Sequence, residues 1–492
     1  MTGSILAIDQ GTSSSRAIVF AQDGTVLGVG QEPFDMSFPA DGWVEQDPEV
    51  LWETTLRSIR AALATAGVAA TSLAAVGITN QRETTLVWER ATGRAVHNAI
   101  VWQDRRTAGR CQALRADGLA EQVARETGLV IDPYFSATKL AWLLDTIPGL
   151  RARAVAGELC FGTVDSFLIW RLTGGRVHAT DASNASRTML FDIGKQRWSP
   201  DLLALFDIPA ALLPEVRDSA GDFGVAEARW LGADVPILGV AGDQQAALIG
   251  QACVYPGMSK STYGTGCFVM THTGTTQVRS TQQLLTTVAY RLRGEVSYAL
   301  EGSIFSAGVA VKWLRDRLGL IASAAETETI ARRTGPDTQG VYLVPAFTGL
   351  GAPHWQPEAR GVLTGLTLDS SRDQVVTATL ASVGYQTADL LDAMAADGAR
   401  VARLRVDGGM VANDWLCQFL SDLLDLPVER PRTTETTALG AAILAALGSG
   451  AAGDLAGAAR LWQLDREFVP TMSGATRERL LAGWRRAVAR AL

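Results

Sequence analysis

The chain is poor in the residues that build covalent staples and metal cages. Among 492 residues there are five cysteines (Cys111, Cys160, Cys253, Cys267, Cys417) and four histidines (His97, His178, His272, His354). The cysteines are odd in number, scattered and never in a C-x-x-C pair, which argues against a disulfide framework or a cysteine zinc site and fits a reducing compartment. The histidines lie far apart with no H-E-x-x-H, so histidine-based metal chemistry has little to build on. Long runs of Lys or Arg are missing too, and the formal net charge is −7. A nucleic-acid footprint or an anionic-membrane surface is therefore not expected. Charged residues make up 19% and apolar ones 47%, a balance that disfavours disorder. The first residues, Met1 to Leu6, lack a basic n-region and run into Asp9, so they do not read as a signal peptide. One uncharged stretch, Thr436 to Gly453, is apolar, but Gly440, Gly448, Ser449, Gly450 and many alanines keep it weakly hydrophobic. It reads as a tightly packed interior helix and not as a membrane span. A soluble globular chain with two to four domains is expected, from a prior of roughly 100–200 residues per domain.

The remaining sequence alternates strands and helices, the signature of an α/β fold. Ser4 to Ile8 is a short apolar strand stopping at Asp9-Gln10-Gly11-Thr12. Ala17 to Phe20 is a second strand, and Asp23-Gly24 turns into a third, Val26 to Val29. A helix then starts with Asp47 as N-cap, Pro48 at the first position and Glu49 in the first turn, and Gly67 stands where it ends. In the second half, Pro236 to Val240 runs into Asp243-Gln244-Gln245, and Ser261 to Phe268 reads as a turn between strands. Leu404 to Val406 ends in Asp407-Gly408-Gly409 before a helix from about Asn413 to Leu424. A strand–polar-turn–strand unit thus opens each half, and the boundary is placed near residue 250.

Polar, glycine-containing turns at strand ends can aim several backbone N–H groups at one anion. Three such turns occur: Gly11 to Ser14, Gly264 to Gly266 and Asp407 to Gly409. Together they point towards a nucleotide phosphate chain. There is no G-x-x-x-x-G-K-[ST]; the nearest stretch, Gly257 to Thr262, lacks the Gly before Lys260, and no G-x-G-x-x-G opens a helix. Asp9, at a strand end, either holds Mg²⁺ or is satisfied by turn N–H groups. Asp243 is either a base or a turn residue. Asn80-Gln81-Arg82-Glu83-Thr84-Thr85 sets a basic and an acidic side chain side by side, and sharing one ligand demands a bend there. Arg105-Arg106 reads as a solvated helix start, and Trp102 and Tyr134 read as core more readily than as ligand contacts.

Taken in order, these segments resemble the glycerol kinases, within the FGGY carbohydrate kinases. The resemblance rests on Asp9-Gln10-Gly11-Thr12, Gly77 to Thr84, Trp102-Gln103-Asp104-Arg105-Arg106, Asp132-Pro133-Tyr134-Phe135 to Lys139, Gly242-Asp243-Gln244-Gln245, Tyr263-Gly264-Thr265-Gly266-Cys267-Phe268, and Val406 to Gly409 with Asn413. It implies two ribonuclease-H-like (actin-like ATPase) α/β domains flanking a central catalytic cleft. Residues 1–250 would form the glycerol-binding domain and 251–492 the nucleotide-binding one. It implies ATP-dependent phosphorylation of glycerol to sn-glycerol 3-phosphate, with Asp243 as general base and Mg²⁺ near Asp9. Thr12, Ser13, Ser14 and Arg16 would contact phosphates, Thr265 and Gly308 would line their path, and Gly409 and Asn413 would lie near the nucleoside. Arg82, Glu83, Tyr134, Asp243 and Gln244, with Thr12, would bind the acceptor, and Trp102 and Phe268 would pack on its carbons. Lys312 departs from the family's usual Gln; it either favours phosphate or faces solvent. Trp230 to Pro236 lacks the Gly-rich, Arg-containing loop through which some relatives bind fructose 1,6-bisphosphate. No histidine stands between His178 and His272, so control by histidine phosphorylation is not expected. The resemblance further implies a cytoplasmic homodimer or homotetramer without nucleic-acid or membrane partners.

Overall fold

The computed structural model describes residues 3–356 and 358–492; Met1 and Thr2, on which part of the signal-peptide reading rests, lie outside them. Two mixed sheets organise the chain. The first begins with strands β1 (Ser4–Gln10), β2 (Ser14–Phe20) and β3 (Val26–Pro33) as antiparallel neighbours. Helix α1 (Pro48–Ala66) starts as the sequence directs, with the Asp47 carboxylate accepting from the Glu49 N–H at 2.8 Å and Gly67 closing it at φ 63°. Its apolar stripe, including Leu51, Ile59 and Ala62, covers one face of the sheet. Strand β4 (Leu73–Asn80) pairs parallel with β1, and β5 (Val235–Gly242) parallel with β4. Between these neighbouring strands the chain makes a long excursion over residues 81–234, and this insertion carries four of the expected acceptor residues, Arg82, Glu83, Trp102 and Tyr134. Helix α2 (Asp243–Gly250) leaves the end of β5 and leads into the second unit.

The second sheet repeats the plan. Strands β6 (Ser259–Tyr263), β7 (Cys267–Gly274), β8 (Leu285–Leu292) and β9 (Glu295–Ile304) are followed by helix α3 (Gly308–Asp316) and a long buried helix α4 (Arg372–Ala396). Then come β10 (Leu404–Asp407), helix α5 (Asp414–Leu424), β11 (Val428–Pro431), helix α6 (Thr436–Gly448) and β12 (Leu464–Phe468). The order β3-β2-β1-β4-β5 in the first sheet is matched by β9-β7-β6-β10-β11 in the second. In each case three antiparallel strands are extended by two parallel ones. This is the two-domain α/β architecture expected from the strand–turn–strand unit in each half.

Helix α6 is the apolar stretch that raised a membrane question. It lies inside the molecule, its Ala438, Ala441, Ala442 and Ala445 packed with Ile5, Ala7 and Ile18 of the first sheet. Among the described residues no helix is long and apolar enough to cross a membrane. It crosses α2 with almost no space between backbones: a Cβ on Gly440 would stand 1.8 Å from the Ala246 carbonyl oxygen, and one on Gly250 1.9 Å from that of Thr436. Only glycine permits this approach. The glycine and alanine content that lowered its hydropathy is thus a packing requirement.

Candidate active site

The strand ends bring the three polar turns to one region. Asp9 stands opposite Arg16 in the β1–β2 ladder, and the Arg16 guanidinium pairs with Glu435, which directly precedes α6. The next residue, Thr436, donates its hydroxyl to Asp407 Oδ2 at 2.5 Å, and Gln251 Nε2 donates to the same oxygen at 2.7 Å. Asp407 is therefore spent on joining the end of β10 to α6 and to the residue after α2; its turn continues through Gly408. A Cβ on Gly408 would lie 2.4 Å from Tyr263 O, and one on Gly308 2.6 Å from Gly264 O. These two glycines let the 264–266 turn, the start of α3 and the 408–409 turn converge. Thr265 and Gly409 are exposed there, as is Ser13, with Thr12 and Ser14 half-buried. Asn413 caps α5, its Oδ1 accepting from Leu416 N at 3.0 Å while Nδ2 donates to Thr327. Lys312 is exposed on α3.

Burial pushes the Asp9 carboxyl up to about 7; Arg16 opposes that, and the carboxylates of Asp243 and Glu435 add to it. An oxygen ligand destabilised by burial and by two neighbouring anions suits a hard divalent cation, which needs only one or two carboxylates besides phosphate and water oxygens. Among the described residues no three His, Cys, Asp or Glu side chains converge into a metal cage.

The acceptor side is built around a kink. Glu83 takes a left-handed conformation, φ 62°, and Thr84 N donates to Arg82 O at 2.7 Å. That is the bend required for neighbouring side chains to serve one pocket, at a cost of about 1–2 kcal/mol. Both side chains are only 2% exposed. Arg82 forks onto Glu301 of β9 (Nη1–Oε2 2.6 Å, Nη2–Oε1 3.1 Å), donates to Gln245 at 3.3 Å and Tyr134 at 3.4 Å, and places Nε 3.1 Å from Asp243 Oδ1. Arg187 bridges Glu83 Oε1 at 2.6 Å and Glu301 Oε1 at 3.0 Å. Two buried guanidinium and two buried carboxylate groups thus interlock beneath the pocket. Burial raises the Glu301 carboxyl, but Arg187 and Arg82 outweigh it and hold it near 2.

Above this layer Trp102 meets Tyr134 edge-on at 5.6 Å and Phe268 at 6.4 Å. The Trp102 indole N–H donates to Thr12 Oγ1 at 2.9 Å, tying the aromatic wall to the first turn. The Tyr134 turn is held from below by Lys139, whose fully buried ammonium donates to the carbonyls of Pro133 (3.2 Å) and Tyr134 (2.6 Å). Asp243 begins α2 with its side chain 31% exposed, the open carboxylate of the cluster. Gln244 is 7% exposed, and its Oε1 accepts from Lys260.

Arg82, Glu83, Tyr134, Asp243 and Gln244, far apart in sequence, are brought together with Trp102 and Phe268. Trp102 and Tyr134 are half-buried in the aromatic wall, and Tyr134 also packs against the hydrophobic core of the insertion. Arg105-Arg106 is not a solvated helix start. The Arg106 side chain is fully buried, paired with Asp104 and Glu45 at 2.8 Å and stacked between Trp43 and Trp142 at 3.9 and 4.6 Å; the helix begins only at Ala108. Arg105 is the exposed one, paired with Asp132 at 2.7 Å. Glu301, Arg187, Lys260 and Glu435 are the parts of this cluster that sequence reading missed. Glu301 lies inside a largely apolar strand, where an isolated charge is a signal that it has a buried partner, whereas Lys260 stands in the polar run Ser259–Tyr263, which carries no such signal.

Residues 4–250 match the N-terminal domain, and residues 260–449 the C-terminal domain, of the FGGY family of carbohydrate kinases. The chain is 61% identical over 486 residues to the glycerol kinase of Rhodospirillum centenum, covering 99% of this chain and 97% of the relative. It is 60% identical over 490 residues to glycerol kinase 1 of Pseudomonas aeruginosa, covering 100% and 99%. Its fold superposes on the crystal structure of Plasmodium falciparum glycerol kinase with ADP with a TM-score of 0.93, at 33% identity, covering 100% and 98%. The fold is shared with a gluconate kinase from Lactobacillus acidophilus at a TM-score of 0.89 and 19% identity.

Proposed function

Because the chain belongs to the FGGY family of carbohydrate kinases, we infer that it catalyses the ATP-dependent phosphorylation of glycerol to sn-glycerol 3-phosphate, and that Asp243 is the general base. The observation that carries the assignment of the base is the place of Asp243: on the acceptor side through Arg82 at 3.1 Å, and close enough to Asp9 on the phosphate side to raise its carboxyl. A glycerol hydroxyl between these groups attacks the γ-phosphorus. The bond from that phosphorus to the β,γ-bridging oxygen breaks, ADP leaves, and the hydroxyl proton passes to the Asp243 carboxylate. In a loose transition state the hydroxyl becomes acidic late, so a well-placed carboxylate suffices. Thr12, Ser13, Ser14 and Arg16 position phosphate oxygens, Thr265 and Gly308 continue that path, and Gly409 and Asn413 flank the nucleoside; Lys312, exposed on α3 four residues after Gly308, is assigned to the same side. Asp9 is the group that holds Mg²⁺, which when bound neutralises charge on the phosphate oxygens. Arg82, Glu83, Tyr134, Gln244 and Thr12 read the acceptor hydroxyls, with Trp102 and Phe268 against its carbons. Several fixed polar groups are what a small triol requires for discrimination.

We assign residues 1–250 to the acceptor domain and 251–492 to the nucleotide domain, although Glu301 lends the second half a share in the acceptor side. All five cysteines are free and buried, which supports a cytoplasmic protein. Assembly as a homodimer or homotetramer is supported by Leu363, Leu366 and Leu368, which are 37%, 55% and 109% exposed in one short segment; light scattering tests it.

The test of the reaction is ADP release from MgATP with glycerol, xylulose, gluconate or no acceptor, with Asp243→Asn in parallel. Glycerol-dependent turnover that falls about 10²–10⁴-fold in Asp243→Asn, with glycerol still bound, is the expected result. Acceptor-independent turnover points instead to an ATPase, and a sugar preference discards the pocket assignment.

A further inference from the structure

The stretch Gly257 to Thr262 resembles a phosphate loop but lacks its glycine, and the reaction as described makes no use of it. Lys260, at its centre, sits on β6, is fully buried and donates to three neutral oxygens: Gln244 Oε1, Thr262 Oγ1 at 3.0 Å and Phe268 O at 3.4 Å. An ammonium has three donors and no acceptor capacity, so this set satisfies it completely. Burying it away from any directly paired carboxylate is costly, and desolvation lowers its affinity for the proton, while Asp407, Asp243 and Glu301 act at a distance to keep it charged. Simple packing would be served better by Leu or Met.

Two of the three partners belong to residues assigned to the acceptor pocket. The contact with Gln244 has a chemical consequence. A primary amide has two ends, and its carbonyl oxygen is the only one that an ammonium can engage. With Oε1 turned to Lys260, the free end is Nε2, a pure donor. Nothing else in the Gln244 side chain distinguishes the two orientations, whose shapes are the same. The orientation matters to a hydroxyl acceptor. Asp243 beside it accepts hydrogen bonds; a donor from Gln244 would complete the pair that an alcohol, being both donor and acceptor, requires.

We propose that Lys260 is a positioning residue that fixes the Gln244 amide so that Nε2–H, and not the carbonyl oxygen, faces the acceptor alcohol. The proposal rests on the assignment of Gln244 to the glycerol pocket. It explains why a lysine is buried in a central strand of the second sheet, and why Gln, not the isosteric Glu or a smaller amide, follows the base.

The experiment compares full-length wild type, Lys260→Met, Gln244→Met, Gln244→Glu and the double variant Lys260→Met/Gln244→Met. The readouts are kcat, KM for glycerol and for ATP, and discrimination between glycerol and its two deoxy analogues, propane-1,2-diol and propane-1,3-diol. Lys260→Met is expected to raise the glycerol KM about 10-fold with the ATP KM changed less than about 2-fold. It should also cut discrimination against one of the two deoxy analogues about 10-fold, because a donor no longer fixed is no longer left unpaired by the missing hydroxyl. The double variant should be no worse than Gln244→Met alone. Gln244→Glu keeps the partner for Lys260 and removes the donor, so it should also raise the glycerol KM about 10-fold or more; this variant decides the matter if Lys260→Met does not fold. Unchanged glycerol KM and discrimination in Lys260→Met, or in Gln244→Glu, would overturn the proposal, a lowered melting temperature in Lys260→Met notwithstanding. If Gln244→Met costs glycerol binding while Lys260→Met does not, the pocket assignment stands and the role of Lys260 falls. If Gln244→Met is itself silent, both fall.

Discussion

Replacing Glu301 by Gln removes one charge from the buried layer of Arg82, Glu83, Arg187 and Glu301 and leaves its shape almost unchanged. Two routes give the cost. A carboxyl held near 2 in place of 4.5 is stabilised as the anion by about 3 kcal/mol. Independently, removing one partner of a buried ion pair costs about 3–5 kcal/mol, because the other charge is left behind. Here two guanidiniums are left with Glu83 alone as a buried counter-charge, and Arg187 Nη1 already has no hydrogen-bond partner among the described residues. Since 1 kcal/mol corresponds to roughly 2–4 °C for a domain of 150–250 residues, a loss of about 3–5 kcal/mol should make Glu301→Gln melt about 6–20 °C lower. Its glycerol KM should rise as well, because the fork that orients Arg82 is lost. The informative control is Glu301→Gln with Arg187→Met, which removes the surplus cation with the anion. The double variant should recover most of the melting temperature, since a neutralised pair approaches an apolar replacement in stability. The assays are differential scanning fluorimetry at pH 7 and steady-state kinetics in glycerol. A loss under about 1 kcal/mol in the single variant, or a double variant worse than the two singles combined, would refute the account of this layer as an interlocked charge network.

Other consequences are simpler. Gly440→Ala places a methyl 1.8 Å from Ala246 O, so α2 and α6 must part; a loss of about 1–3 kcal/mol or more is expected in urea unfolding, whereas Gly109→Ala, with open space around it and no left-handed backbone, serves as a control with a far smaller effect. His272 is buried, its Nδ1 accepting from Gly274 N at 3.1 Å and its Nε2 2.9 Å from the Tyr290 hydroxyl, and burial lowers its pKa from 6.5 to about 4. Its neutral form therefore contributes stability that is full above pH 6.5 and is lost as pH falls through 4, up to about 3 kcal/mol. His272→Gln, which offers one donor and one acceptor without titrating, should lose correspondingly less stability between pH 6.5 and 4 in urea titrations; an identical pH dependence would contradict the assignment.

Sequence alone determined what depends on near neighbours. The N-cap and C-cap of α1, the three hairpin strands, the turn at Gly264 to Gly266 and the helix that follows Asn413 depend on side chains a few residues apart, and all stand where their local chemistry puts them. The alanine–glycine helix was legible for the same reason, since its composition already excluded a lipid-facing surface. The need for a bend at Arg82-Glu83 was legible too, because period-two geometry forbids adjacent side chains one pocket; that Glu83 itself supplies it, at φ 62°, was not. What only the tertiary structure decided are the charges that meet across long separations. Arg82 and Glu301 stand 219 positions apart, and no local rule selects one partner among 51 acidic residues. Arg106 departs from its local reading for the same reason: a charged residue beside a helix start is solvated unless folding brings two tryptophan faces and two carboxylates around it. Local pattern constrains backbone conformation, whereas the choice of partner for a buried charge is made by the folding of distant strands onto one another.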